Sequence, residues 1–186
     1  GSGASHDGAA TLQPGQTGAS DIRIGNGGAA PMTGIMMCDV FDNTTMKLTT
    51  LDKVVNNAAS FSGAYDLSTR HAYVLYNSGS IGNNAAGWAT NLAYQDNWEI
   101  QYAHFDLGSD NPIGGGFVAT YNRYNGTWTN QRTASCADGA TENRTGWVTS
   151  VAAAGGIDAV NGIRVVAKNG YGLPSAHYAH LKIAYE

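Results

Sequence analysis

The strongest constraint in this chain is a period of two. Apolar residues recur at alternate positions in short runs, and clusters of Gly, Asn and Asp separate the runs, as antiparallel strands with one buried face require. The spacing predicts strands near 35–41, 44–49, 71–77, 97–107, 116–122, 127–132, 146–152, 162–168 and 177–185. In the last run His177, Ala179, Leu181, Ile183 and Tyr185 share a face expected to be core, while Tyr178, His180, Lys182 and Glu186 fall on the other. In the 97–107 run Trp98, Ile100 and Tyr102 lie on one parity and Phe105 and Leu107 on the opposite one, so a bulge near Ala103 is expected to return both sets to the core. Only Thr50 to Ala59 has a helical pattern, with Leu51, Val54 and Val55 on one face and Thr50 placed to cap it. The expected fold class is therefore all-β, an antiparallel β-sandwich of jelly-roll type, in which the 25 Gly supply the positive-φ positions of tight turns. No repeat at a fixed period speaks for a propeller or solenoid.

Residues 1–33 are mostly Gly, Ala, Ser, Thr, Gln and Pro, with the apolar pair Ile22 and Ile24 too little to bury a core alone. They are expected to be a flexible arm or linker preceding a single β domain over 34–186. Such an arm is ordered when it lies along a neighbouring subunit, and the alternation Ile22-Arg23-Ile24 suits one added strand. The formal net charge is −4 and the 10 Lys and Arg are scattered singly, so no basic stripe exists to neutralise a phosphate backbone and nucleic acid is not an expected partner. No apolar stretch approaches the ~20 residues of a membrane span, so membrane insertion is not expected either.

The two cysteines, Cys38 and Cys136, stand far apart. They read either as a disulfide closing a long loop in an oxidising compartment or as two separate buried thiols. Asn-x-Ser/Thr occurs at Asn43, Asn125 and Asn143, and matters as a glycosylation acceptor only in a eukaryotic secreted chain.

Signatures of catalysis are weak. Gly25-Asn-Gly-Gly-Ala-Ala has the glycine spacing of a dinucleotide loop, but Pro31 follows where a helix would have to start, so a linker is the better reading. His177 and His180 are three apart on a predicted strand, point to opposite faces and cannot chelate together. His104 and Asp106 share a face close to Asp110, an arrangement that would suit an Asp-oriented imidazole or a calcium ion held by Asp106 and Asp110. The plain alternative is a strand end followed by an Asx turn. Asp96, Glu99, Asp106 and Glu142 are the carboxylates a glycosidase would need, and no pattern pairs them; Cys136 has no adjacent base. No other cofactor is expected, and the chain is not expected to be an enzyme.

The positive signal is aromatic: 4 Trp and 10 Tyr in a chain only 13% charged. Trp88 and Tyr94 lie in Gly- and Asn-rich connections, and Tyr121, Tyr124 and Trp128 flank the turn 122–127, whose Asn125-Gly126 is a hairpin signal. Trp147 and Tyr171 also stand beside polar or glycine neighbours. Rings carried by loops beside Asn, Gln and Asp are what a glycan-binding or subunit-contact surface requires. In composition over its whole length the chain resembles the head-decoration and fibre-tip domains of bacteriophages, and its closing segments Gly162 to Lys168 and Tyr178 to Tyr185 are similar to the ends of carbohydrate-binding jelly rolls. The resemblance implies a non-catalytic component of a virion surface or of the extracellular space, often a trimer, that contacts other virion proteins or host glycans. A secreted carbohydrate-binding module is the second expectation, and a small glycan-degrading enzyme the third.

Overall fold

The structure is a computed structural model and describes residues 2–7, 13–55, 66–78, 95–106, 120–122, 127–129, 136–140 and 142–186. Among the described residues the regular elements are nine strands, β1 (Ser2–Asp7), β2 (Gly18–Asn26), β3 (Met36–Val40), β4 (Ala72–Ser78), β5 (Trp98–Ala103), β6 (Thr120–Asn122), β7 (Thr127–Thr129), β8 (Gly162–Ala167) and β9 (His177–Tyr185), with a 3₁₀ turn at Leu51–Lys53. The protein is all-β, with antiparallel sheets. Two compact units are built from it, one of Gly1–Met37, Leu48–Ile100 and Val165–Glu186, the other of Cys38–Lys47 and Gln101–Arg164.

The first unit holds a four-stranded antiparallel sheet in the order β1-β2-β9-β4. Strand β9 is its spine. Leu181 stands between Ile22 of β2 and Val74 of β4, and all three are buried, each such side chain stabilising the fold by about 1.5–3 kcal/mol. The alternation Ala179, Leu181, Ile183, Tyr185 is buried, as its period requires. The other face of β9 is not simply polar, because His180 and Ala184 are buried too. Leu51 of the 3₁₀ turn packs on Ala184 together with Val54, Val55, Leu67 and Tyr73, which explains why a strand at the centre of the sheet carries an apolar residue on its second face.

The segment expected to be an arm is corrected by this sheet. Residues 18–26 form a strand between β1 and β9, and Ile22, Gly25 and Asn26 are buried within their own chain. A sequence with few apolar residues forms an interior strand here because β9 supplies the apolar surface it lacks. The helix expected over 50–59 is a single 3₁₀ turn in its described part. Thr50 makes no side-chain cap; the free amides of Leu51 and Asp52 donate instead to Arg70 O and Leu67 O.

A three-stranded sheet has the order β3-β8-β5. The bonds Phe41 N to Asn161 O and Ala167 N to Ile35 O, like Asn161 N to Ala103 O and Lys168 N to Asn97 O, run through the partner strands in opposite directions, so both pairings are antiparallel. In the second unit Phe41, Tyr102, Ala103, Phe105, Val160 and Ile163 are buried. β5 ends at Ala103 and Phe105 is buried, as the expected parity switch requires, while Leu107 lies outside the described residues. The Asn161 side chain bridges the break, accepting from Phe105 N at 2.6 Å and donating to Phe105 O at 2.8 Å, as a neighbouring strand would.

Two predicted strands are corrected. At 44–49 the side chain of Asp42 accepts from Thr44 N and the main chain turns back on itself, and among the described residues the segment's ladder is the single bridge of Leu48 to Tyr185. At 146–152 Val148 bridges Tyr102, after which Ser150 Oγ accepts from Ala153 N and the chain enters a run of turns.

Candidate functional site

Strands β6 and β7 pair antiparallel with Tyr121 directly opposite Trp128, Thr120 opposite Thr129 and Asn122 opposite Thr127. This is the hairpin that Asn125-Gly126 predicts, and its register sets two of the five singled-out aromatics side by side along the ladder. Tyr124, Trp88 and Tyr94 lie outside the described residues, as does Asp110. Asp106 is described. Its Oδ2 accepts a hydrogen bond from Arg144 Nη2 at 2.7 Å, so a guanidinium already stands where a cation would approach that oxygen. Among the described residues no group of three or more His, Cys, Asp or Glu converges as a metal would need. His104 does not turn to Asp106; its Nδ1 donates to Ala159 O, an oxygen that can only accept. His177 and His180 have separate partners, Ser175 O and Asp21, as residues on opposite faces of a strand must.

Cys38 and Cys136 are joined in a disulfide with a Cα–Cα distance of 6.1 Å. Beside it lies Arg164 on β8. Its Nε donates to Gln101 Oε1, its Nη1 to Cys136 O and its Nη2 to Asp138 Oδ1, each at 2.6 Å. The guanidinium also lies 4.6 Å from the centre of the Trp147 ring, which meets Phe105 edge-on at 5.5 Å. Gly162 permits this stacking, since a Cβ there would come within 2.7 Å of Phe105 Cε2. One planar cation thus ties the strand, the disulfide loop and the aromatic pair together, a geometry lysine lacks the donors to reproduce.

In the first unit Asp21 of β2 faces Lys182 of β9 in register and is met by two nitrogen groups. Lys182 Nζ bonds Oδ2 at 2.9 Å, and His180 Nδ1 bonds Oδ2 at 2.8 Å while lying 2.7 Å from Oδ1. Burial pushes the Asp21 carboxyl up, but the hydrogen bonds and charges of His180 and Lys182 outweigh it and hold the group below its ordinary value. The unfolded chain therefore takes up its proton first as pH falls. The pairing contributes fully above the ordinary value of 3.8 and is lost as pH drops through the folded one. The stability difference between the wild type and Asp21→Asn is expected to shrink as pH is lowered below about 4. Urea titrations across that range check it, and a difference that stays constant would remove Asp21 as the group responsible.

No protein-family model, curated protein or solved structure matches this chain. No helix among the described residues is long and apolar enough to cross a membrane, a statement that does not bear on strands.

Sequence reasoning passed over Arg164, Asn161 and the Asp21–His180–Lys182 cluster. Arg164 had a visible signal, a lone charge between Ile163 and Val165 in an apolar run, which in a buried strand demands partners. Asp21 had none, since only the register of β2 on β9 brings it to Lys182.

Proposed function

We propose that the chain is a non-catalytic structural or adhesion domain of a virion surface or of the extracellular space. In this reading its antiparallel sheets pack as a sandwich of jelly-roll type, and the hairpin around residues 120–129 contacts a neighbouring subunit or a glycan. The observation that carries the reading is the Cys38–Cys136 disulfide held beside Arg164, because such bonds persist in oxidising surroundings and this one is built into a packed polar node. The polar side chains of both units support it by serving as struts: Arg164, Asn161 and His104 in one, Asp21 and His180 in the other, all bonded to main chain or to opposite charge.

Two measurements test the reading. Light scattering on the eluting protein is expected to give a homo-oligomer, a trimer in the virion case, whereas a monomer that binds glycans favours the secreted module. Tyr124→Ala is expected to weaken glycan or subunit binding by about 1–3 kcal/mol, the scale of one well-placed ring, with little loss of fold stability. Full retention of both affinities would remove the hairpin as the contact.

A further inference from the structure

We propose that the turn Asn169-Gly170 is a site of spontaneous covalent modification, where Asn169 is converted through a cyclic imide into aspartate and isoaspartate. Asn-Gly occurs at Asn26-Gly27, Asn125-Gly126, Asn161-Gly162 and Asn169-Gly170. The second of these lies outside the described residues. In the reaction the glycine main-chain nitrogen attacks Cγ of the preceding asparagine. The N–Cγ bond forms, the Cγ–Nδ2 bond breaks, and ammonia departs with the proton the glycine nitrogen gives up. Water then adds to either imide carbonyl and opens the ring, with no change of oxidation state. Glycine in second place favours the attack because it offers no side chain to hinder the approach. The asparagine amide must be free to swing onto the next nitrogen.

The folded chain meets that condition unequally. Asn26 is buried, donates from Nδ2 to Ala30 O and Leu173 O at 2.8 Å each, and accepts from Gly28 N at 2.9 Å. Asn161 is buried and held at both amide atoms by Phe105, with Gly162 already in β8. Asn169 is exposed. It occupies a tight turn closed by Tyr171 N–H to Lys168 O at 3.0 Å, with φ of 57° at Asn169 and 68° at Gly170, the mirror-image geometry that Asn-Gly favours. Among the described residues nothing hydrogen-bonds its side chain, and no main-chain carbonyl accepts from Gly170 N–H. The space around Gly170 is open, with no atom within 4 Å of where a Cβ would stand. Conversion would place a new carboxylate beside Lys168, and the isoaspartate product would lengthen the backbone of the turn by one methylene.

The test is peptide mapping by mass spectrometry of the folded, full-length protein held at mildly alkaline pH. Tryptic cleavage after Arg164 and Lys168 puts Asn161 and Asn169 on different peptides. The Asn169 peptide is expected to convert at least about tenfold faster than those of Asn26 and Asn161, whose amides react only after local opening. The Asn169→Gln chain should lose that signal alone, and in urea the wild-type sites should converge. Equal conversion of Asn26 or Asn161 in the folded protein, or an Asn169 that stays intact there while converting in urea, would overturn the proposal.

Discussion

Replacing Cys38 and Cys136 together by alanine is expected to cost about 4–5 kcal/mol, because the bridge closes a loop with a sequence separation of 98 and the chain-entropy contribution grows with the logarithm of that length. The effect belongs mainly to the unfolded state, which the bond keeps compact. Urea unfolding of the double variant should therefore show a steeper denaturant slope as well as a lower midpoint, since the released chain exposes more surface. A stability unchanged to within about 1 kcal/mol would mean that the unfolded chain is already collapsed around this pair.

Arg164→Met is expected to cost about 3–5 kcal/mol, and Asp138→Asn no more than about 1, although the two residues form one ion pair. The asymmetry follows from solvent. The Arg164 side chain is 5% exposed and the Asp138 side chain 86%. Removing the carboxylate leaves a guanidinium that still holds Gln101 Oε1, Cys136 O and the Trp147 face. Removing the guanidinium takes away its bonds to Gln101 Oε1 and Cys136 O, each worth about 1–3 kcal/mol, and strips the ring of its cation. Denaturation of both variants decides the matter, and equal losses would show that the surface charge carries the node.

What could be read in the sequence was the part in which each residue reports its own environment. Strands β3, β4, β8 and β9 announce themselves as short apolar runs bounded by turn residues, at 36–40, 72–78, 162–167 and 177–185, although burial on both faces of β8 and β9 blurs the period of two. The pairing of β6 and β7 follows from Asn125-Gly126 and sets Tyr121 opposite Trp128 in register. Strand β2 was missed because a composition rule weighs Ile22 and Ile24 by themselves, whereas the sheet weighs them with Leu181 and Ala179 opposite. The segments at 44–49 and 146–152 read as strands because Asp42 and Ser150 act on their own backbone, and a period count does not register that. The same holds for the disulfide and for Asp21: pairing is a property of the fold, and one chain lists only the candidates.

The amide of Gln95 closes the account of the four-stranded sheet at its β4 edge. It accepts from Val74 N at 2.8 Å and donates back to Val74 O, satisfying both main-chain groups of an edge residue with one side chain. A bare edge is a template on which any extended chain can add a rung. At Val74 the template is pre-occupied by an internal mimic, so a strand adding a rung at that residue would have to evict Gln95. The block is local to that one rung and is made by a neutral amide, so it needs no charge on the surface.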